Sequence, residues 1–507
     1  MFEKKLDLVD KLSNNVFQSI FSLFSIFQKA KAELYLVGGC VRDLLLGKKP
    51  KDYDFCTNLT PDQVKELLSK EGHEVEFNEI HFLNPELEKE TKEYNKYIKE
   101  NNPQPIFICD YTFIDTGLKH GTITVHDKRY DMFYEITTYR IDGKYEDGRH
   151  PEEVIFTSSL EEDLKRRDFT INSFAYNLLE NKLSMLDESF LRDLDYGIIR
   201  TVGDPNQRFS EDALRMLRAL RFCAQLNFSI EENTYSAIKA LNSKLTMISK
   251  ERIRDELTKI LLSDNPQLLE LIVASNTEQY LFDGLTPLTD ILNCEHQNPW
   301  HYTDVFHHTM DVVKRIPKTF VLRWAALFHD FGKPFTKALK EGTTDHYSYH
   351  GHEAVSVEIA TKIMDILKFP NYEKELISKY VQYHDTDLVE CKNSRFKKAV
   401  VDIGKDNFKD FIKLKIADAY AHRITKDTKY AVDWISKLYD RFSNLVIEDD
   451  ALTVKDLDIN GYDLMDLGLQ GKEIGDCLNY LLDIVLEDST QNKKELLINY
   501  AKEWRKA

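Results

Sequence analysis

LVGGCVRDLLLGKKPKDYDF (residues 36–55) reads as strand, tight turn, helix and second strand: an apolar run that begins at Leu34, then Gly38-Gly39, then CVRDLLLG, then an alternating segment carrying Asp52 and Asp54. Residues two apart on a strand face the same side, so the two carboxylates are expected to converge on one point. Such a pair is what Mg²⁺ needs to be held beside a nucleoside triphosphate, with oxygen ligands at about 2.1 Å. In a two-metal arrangement it can activate a ribose 3′-hydroxyl and stabilise departing pyrophosphate. Gly38 and Gly39 let backbone amides approach phosphates ahead of the helix.

Outward from this stretch, residues 1–30 carry apolar positions at helical spacing (Leu6, Val9, Leu12, Val16, Ile20, Leu23, Phe27) and predict one amphipathic helix. TPDQVKELLSKEG (60–72) opens with Thr60 before Pro61, an N-cap and first-turn pair, and predicts a second, short helix. Segment 84–104 is charged and bracketed by prolines, part of an insertion over 77–115 that has no assigned role. GTITV (121–125) and YDMFYEITTYR (130–140) are β-rich, and DGKYEDGRHP is a polar loop. From residue 159 onward the 3.6-residue period dominates.

The chain has 507 residues, enough for about three domains. Its 42% hydrophobic and 30% charged composition excludes general disorder and a membrane bundle, and the start lacks a secretory pattern, so a cytoplasmic protein is expected. Seven scattered cysteines with no CxxC read as reduced core or near-core residues. A net charge of −17 excludes a generally basic, phosphate-coating protein. Locally, 392–415 holds eight Lys and Arg against three Asp, whereas 446–488 holds twelve acids against two lysines; both read first as solvated helix faces. Eight of the fifteen histidines (296, 301, 307, 308, 329, 346, 350, 352) fall within 57 residues, which points to a metal site.

Four further segments follow in order: GLKHGTITV, YEITTYRIDGKYEDGRHPEEV, LEEDLKRRDFTINSFAYN and DPNQRFSEDALRMLRALRF. With 36–55 they resemble the tRNA nucleotidyltransferase and bacterial poly(A) polymerase family, over most of 34–222. The resemblance implies an α+β fold: a polymerase-β-type nucleotidyltransferase head, then an all-α neck and body. It implies Asp52 and Asp54 as Mg²⁺ ligands and Gly38, Gly39, Arg42 and Asp43 at the triphosphate site, with Arg166, Arg167 and Asp168 of RRDFTIN at the floor. A third acid is expected, and both Asp168 and Glu135 qualify; Asp168 is preferred and Glu135 left open. Helical spacing sets Asp212 beside Arg215 on a helix at 210–224 capped by Ser210. A carboxylate acceptor and a guanidinium fork can match the Watson–Crick edge of a base. The resemblance gives this pair that task for incoming CTP or ATP, with Arg218 one turn on as a phosphate contact.

WHYTDVFHHTMDVV, RWAALFHDFGKP, YHGHEA, YVQYHD and KIADAYAHR resemble the HD phosphohydrolase superfamily. By position the ligands are His308, His329, Asp330 and Asp418, with His352 and His384 as second-metal or substrate ligands. Mixed imidazole and carboxylate sets suit a divalent transition metal, whose bound water can hydrolyse phosphoesters. His307, His346 and His350 are read as hydrogen-bonded neighbours, Trp300 and Trp324 as core. The expected segments are an N-terminal helix (1–30), head (31–158), neck and body (159–290), all-α HD domain (291–425) and helical tail (426–507).

The implied activity is addition of C, C and A to a tRNA acceptor end from CTP and ATP, with no membrane partner and an undetermined oligomeric state. The basic run at 392–415 and Arg252/Arg254 are the expected grip on the acceptor arm. The rivals are a poly(A) polymerase or partial CC- or A-adding enzyme and, from another class, an HD phosphohydrolase with an RNA-binding head. LGLQGKEIGDCLNYLLDIVLED looks like the tail of HD-containing tRNA nucleotidyltransferases.

Overall fold

The computed structural model describes residues 1–75, 96, 106–115, 117–142, 154–297, 303–422, 428–447 and 453–505. Most of the 77–115 insertion, most of the polar loop at 142–151, His301 and Trp300 lie outside them. The chain divides into two compact units, one of residues 1–219 and 228–241, the other of residues 220–227 and 242–507.

The first unit is built on an eight-stranded sheet: β1 (Phe2–Lys5), β2 (Leu34–Val37), β3 (Asp54–Thr57), β4 (Tyr111–Ile114), β5 (Thr122–Asp127), β6 (Met132–Thr138), β7 (Phe174–Asn177) and β8 (Lys182–Met185). Their spatial order is β1-β8-β7-β2-β3-β6-β5-β4. Every pair is antiparallel except β3 with β6, where Asp54 stands opposite Glu135 and Phe55 opposite Ile136. The parallel pair needs a crossover, which the segment between β3 and β6 provides. It begins with the helix Pro61–Leu68, where Thr60 Oγ1 accepts from Gln63 N and Gln63 Oε1 accepts from Thr60 N. That helix stops at Leu68 rather than running to Gly72, which instead opens a strand, Gly72–Val75, paired with Ile106–Cys109.

Two other expectations change in the head. The N-terminal helix spans Asn14–Lys29, and the residues before it, Phe2–Lys5, form the edge strand β1. The end of the insertion, which had no assigned role, is strand: Tyr111–Ile114 joins the main sheet. The helix Asn14–Lys29 is fastened to the sheet through a polar hub. Fully buried Asp127 accepts from Ser19 Oγ at 2.7 Å and from Arg129 Nε and Nη2 at 3.0 and 2.9 Å, while Tyr134 Oη donates to Ser19 Oγ at 2.7 Å.

The second unit is helical. Its histidine-rich part uses the helices Val305–Arg315, Phe320–Phe328, His352–Ile366, Asn371–Tyr383 and Lys405–Ala421. Trp324 is fully buried, as expected, and its indole N–H donates to Thr258 Oγ1 at 3.0 Å. Toward the C-terminus the helices Gly461–Asp466, Lys472–Glu487 and Lys494–Trp504 enclose a core that includes Leu464, Leu469, Leu481, Val485 and Leu497. The basic run at 392–415 is not a uniformly solvated face: Lys397 and Lys415 are buried, and Lys398 pairs with Asp483 of the acidic run. All seven cysteines are free thiols.

Removing Asp127 leaves the buried Ser19 hydroxyl without its acceptor, which costs about 1–3 kcal/mol. Asp127→Ala is therefore expected to lower the unfolding free energy of the head, read from urea titration, by an amount of that order; a change under about 0.5 kcal/mol, typical of surface sites, would show that the hub does not fasten the helix.

Candidate functional site

In the head, the turn after β2 delivers Gly38 with φ +74°, a conformation that favours glycine, and an added Cβ would lie 3.2 Å from Arg167 Nη1. Asp54 heads β3, half-buried, whereas Asp52 stands exposed in the bend before it rather than on the strand. The two carboxylates still act on each other. Burial, then Asp52, then Glu135 push the Asp54 carboxyl up to about 6 against the pull of Arg167.

The RRD segment follows the helix Leu160–Lys165, and its arginines are clamped from within that helix. Asp163, fully buried, accepts from Arg166 Nε and Nη2 at 2.9 and 2.6 Å and from Arg167 Nη2 at 3.1 Å. Burial raises the Asp163 carboxyl, and the two guanidinium groups outweigh it, leaving it below the usual range. Asp168 belongs to a longer chain of contacts. It accepts from Arg218 Nε at 2.8 Å and Asn172 Nδ2 at 3.2 Å; Asn172 Oδ1 accepts from Arg42 Nη1 at 2.8 Å; Arg42 Nη2 pairs with Asp43 at 2.7 Å. Burial opposes the charge on Asp168, but Arg218 and Arg215 hold it down at about 2. The structure thus gathers Arg42, Asp43, Asp168 and Arg218 into one network and sets Glu135 beside Asp54.

The helix expected at 210–224 is broken. Pro205–Glu211 ends at extended Asp212, whose Oδ1 accepts from Leu214 N at 3.0 Å and so caps the following helix, Leu214–Leu226. Arg215 reaches Glu211 at 2.6 Å and the carbonyls of Arg208 and Arg166 at 3.2 and 3.0 Å.

In the second unit, His329 and Asp330 follow the helix Phe320–Phe328, and Gly332 lets that turn close on the next helix. A Cβ there would lie 2.2 Å from His352 O and 2.7 Å from Ser356 N. Around buried Asp330 stand His308, His329, His352 and His384, all nearly inaccessible. Asp330 Oδ2 faces His329 Nε2 at 3.2 Å and His308 Nε2 at 3.6 Å, and Asp418 Oδ1 faces the same two nitrogens at 3.7 and 3.1 Å. Asp330 Oδ1 faces Nε2 of His352 and His384 at 3.4 and 3.6 Å. Burial raises both carboxyls, and the surrounding imidazoles, with Lys333 beside Asp330, bring them well below the usual range.

The donor set fits a divalent metal. Carbonyls only accept, so Nδ1–H of His329, His352 and His384 donates to Ala326 O, Tyr349 O and Val381 O at 2.7, 2.8 and 2.6 Å, which turns each ring's Nε2 inward, where once deprotonated it offers a lone pair to a metal. His352 Nε2 and His384 Nε2 stand 3.0 Å apart, two acceptors facing one another until a proton or metal lies between them. His329 Nε2 and both Asp330 oxygens are buried outside hydrogen-bond geometry. Among the described residues, four groups could hold an ion, His308–His329–Asp330, Asp330–His352–His384, His308–Asp418–His422 and His352–Glu353–Asp385, so Asp330 and His352 each belong to two of them. His307 and His350 are exposed and His346 is half-exposed. His422, Asp163, Asn172 and Lys333 escaped the sequence reading; the signal for His422 was its i+4 spacing from Asp418, and for Asp163 its i,i+3 and i,i+4 spacing to the arginines.

Residues 34–105 and 104–200 match the poly A polymerase head domain, and 227–289 the family described as "Probable RNA and SrmB- binding site of polymerase A". Residues 301–398 match the HD domain and 354–501 the tRNA nucleotidyltransferase domain 2. Fold and sites therefore define a polymerase-type nucleotidyltransferase head followed by an HD domain. In order, these matches are the domains of tRNA nucleotidyltransferases and poly(A) polymerases with an HD domain, a family that generally uses divalent metal ions. The chain is 37% identical over 288 residues to the CCA-adding enzyme of Leuconostoc mesenteroides, covering 56% of this chain and 60% of that one. It is 40% identical over 252 residues to that of Lactobacillus helveticus, covering 50% and 51%. The matches thus span only about half to three-fifths of these curated relatives' length. In fold it is similar to the Bacillus stearothermophilus CCA-adding enzyme in complex with CTP, with TM-score 0.64, 23% identity and 98% of each chain covered. The Thermotoga maritima CCA-adding enzyme complexed with tRNA gives TM-score 0.53 at 19% identity, covering 99% of this chain and 100% of that one. No described helix is long and apolar enough to cross a membrane.

Because the folded pKa of Asp54 is raised, the group favours the fold below its unfolded value near 4, and this contribution is lost as pH rises through about 6. Asp54→Asn is expected to stabilise the metal-free protein at pH 7 by of the order of 2 kcal/mol, with the gain vanishing near pH 4; a pH-independent difference in urea midpoints would contradict the assigned burial. Gly332→Ala is expected to push the helix His352–Ile366 off the HD turn and abolish the rise in melting temperature produced by Mn²⁺ at this cluster; an undiminished rise would show that the close approach is dispensable.

Proposed function

We propose that this chain adds C, C and A to the 3′ end of tRNA from CTP and ATP, releasing pyrophosphate, as a cytoplasmic nucleotidyltransferase, with a second, phosphoester-hydrolysing activity at the HD site. The observation that carries the first part is the half-buried Asp54 carboxyl, raised first by its own burial and then by Asp52 and Glu135. Asp52 and Glu135 both act on the Asp54 carboxyl, and a set of oxygen donors suits Mg²⁺. Asp52 and Asp54 hold it, with Glu135 as the third acid; Asp168, committed to Arg218 and Asn172, instead orders the arginine network. Mg²⁺ bound here supplies charge for the attacking 3′-hydroxyl and the leaving pyrophosphate. Arg42, Asp43, Arg166, Arg167 and Arg218, with the Gly38-Gly39 turn, form the triphosphate side, and Asp212 and Arg215 read the base edge. Because Arg215 is seated by Glu211 and two carbonyls, its fork is fixed before any nucleotide enters.

The HD site takes a divalent transition metal through His308, His329, Asp330 and Asp418, with His352 and His384 on the other oxygen of Asp330, a mixed donor set that hard Mg²⁺ does not favour. The nearest alternative, ATP-only tailing, is separated by extension of three tRNA transcripts ending before CCA, after C and after CC, with labelled CTP or ATP and single-nucleotide resolution. Ordered growth stopping at CCA is expected, and ATP-only tails would move the assignment. In the same assay Asp52→Ala is expected to abolish extension while sparing hydrolysis of a phosphomonoester, and His329→Ala to do the converse; loss of both activities in either variant would point to one composite site.

A further inference from the structure

Lys333, three residues beyond Asp330 in HDFGKP, places its buried ammonium in the HD cluster, with Nζ 2.7 Å from Asp330 Oδ2. That oxygen is the one turned toward His329 and His308. Lys333 is also held by groups that are not carboxylates. His296 Nδ1–H donates to Thr303 O at 2.8 Å, so its Nε2 offers a lone pair, and Lys333 Nζ lies 3.3 Å from it. Burial holds the His296 imidazole neutral, down at about 2. The ring of Tyr349 lies 5.6 Å from Nζ, and its hydroxyl donates to His296 O at 2.5 Å. This holder stays in place whatever becomes of the Asp330 oxygen. Resting on the metal reading of the site, the argument is one of charge. A metal taking Oδ2 withdraws the carboxylate that neutralises Lys333, and a buried ammonium then needs another anion within reach.

We propose that Lys333, seated by His296 and Tyr349, is the phosphate-contacting cation of the HD site: it rests on Asp330 Oδ2 in the metal-free cluster and turns to an oxygen of a phosphoester dianion once that carboxylate serves a metal. No covalent step is assigned to it. The test is calorimetric titration of the full-length protein, first with Mn²⁺ and then, Mn²⁺-loaded, with inorganic phosphate, for wild type, Lys333→Met and Lys333→Arg. Expected are Mn²⁺ binding by Lys333→Met at least as tight as wild type, since a competing cation is gone, phosphate affinity about tenfold weaker or worse, and partial recovery in Lys333→Arg. Unchanged phosphate affinity in Lys333→Met with tighter Mn²⁺ binding would overturn the proposal and leave Lys333 a counter-ion of Asp330. Loss of Mn²⁺ binding in Lys333→Met but not in Lys333→Arg would overturn it as well, by making the lysine structural. Failure of the wild type to take up Mn²⁺ at the cluster would defeat the metal reading and the proposal with it.

Discussion

Carboxylates that fold into one another's company have to be neutralised, and both units of this chain are arranged around that demand. In the head, Asp54 is half-buried, and burial, then Asp52 and Glu135, raise its carboxyl to about 6. In the second unit, Asp330 is buried among four imidazoles and a lysine, with both oxygens outside hydrogen-bond geometry. Packing alone has no use for the arrangement around Asp330: replacing a buried ionic cluster with apolar groups of similar volume is often neutral or stabilising. The clusters make physical sense as places for cations.

The surrounding fold holds these groups against their mutual repulsion. The single parallel pairing of the main sheet sets Glu135 opposite Asp54, and the left-handed turn at Gly38 brings the chain against Arg167, itself fixed by Asp163. Around Asp330, carbonyls one helical turn back fix the tautomer of His329, His352 and His384, while Gly332 lets two elements meet at backbone distance. Rigid supports of this kind are what a site needs if its groups are to meet metal or phosphate without reorganising.

The parts of this arrangement legible in the sequence were those carried by short-range spacing. Glycines after an apolar run, acids two apart and a His-Asp dipeptide marked the segments of both candidate sites, and the same patterns gave an α+β head followed in the chain by helices. Asp52 left the strand because pairing with β2 begins only at Asp54, opposite Val37, which two-residue periodicity does not reveal. The helix around Asp212 broke because a side chain able to cap Leu214 N competes with helix continuation, a choice amphipathic spacing alone does not register. Glu135 stayed unresolved against Asp168 because a parallel register joins residues about eighty positions apart. Lys397 and Lys415 looked solvated because a charge run carries no sign of which members turn inward; Lys415 donates to the carbonyls of His384 and Thr386.

The central claim is that the chain holds two separate cation sites created by crowded carboxylates. Native mass spectrometry of the full-length protein in Mn²⁺, comparing wild type with Glu135→Gln and Asp330→Asn, tests it most directly. The account predicts bound metal in the wild type, partial loss in each variant, and losses that add in the double variant. Equal metal content in all four proteins, or complete loss from either single substitution, would contradict it.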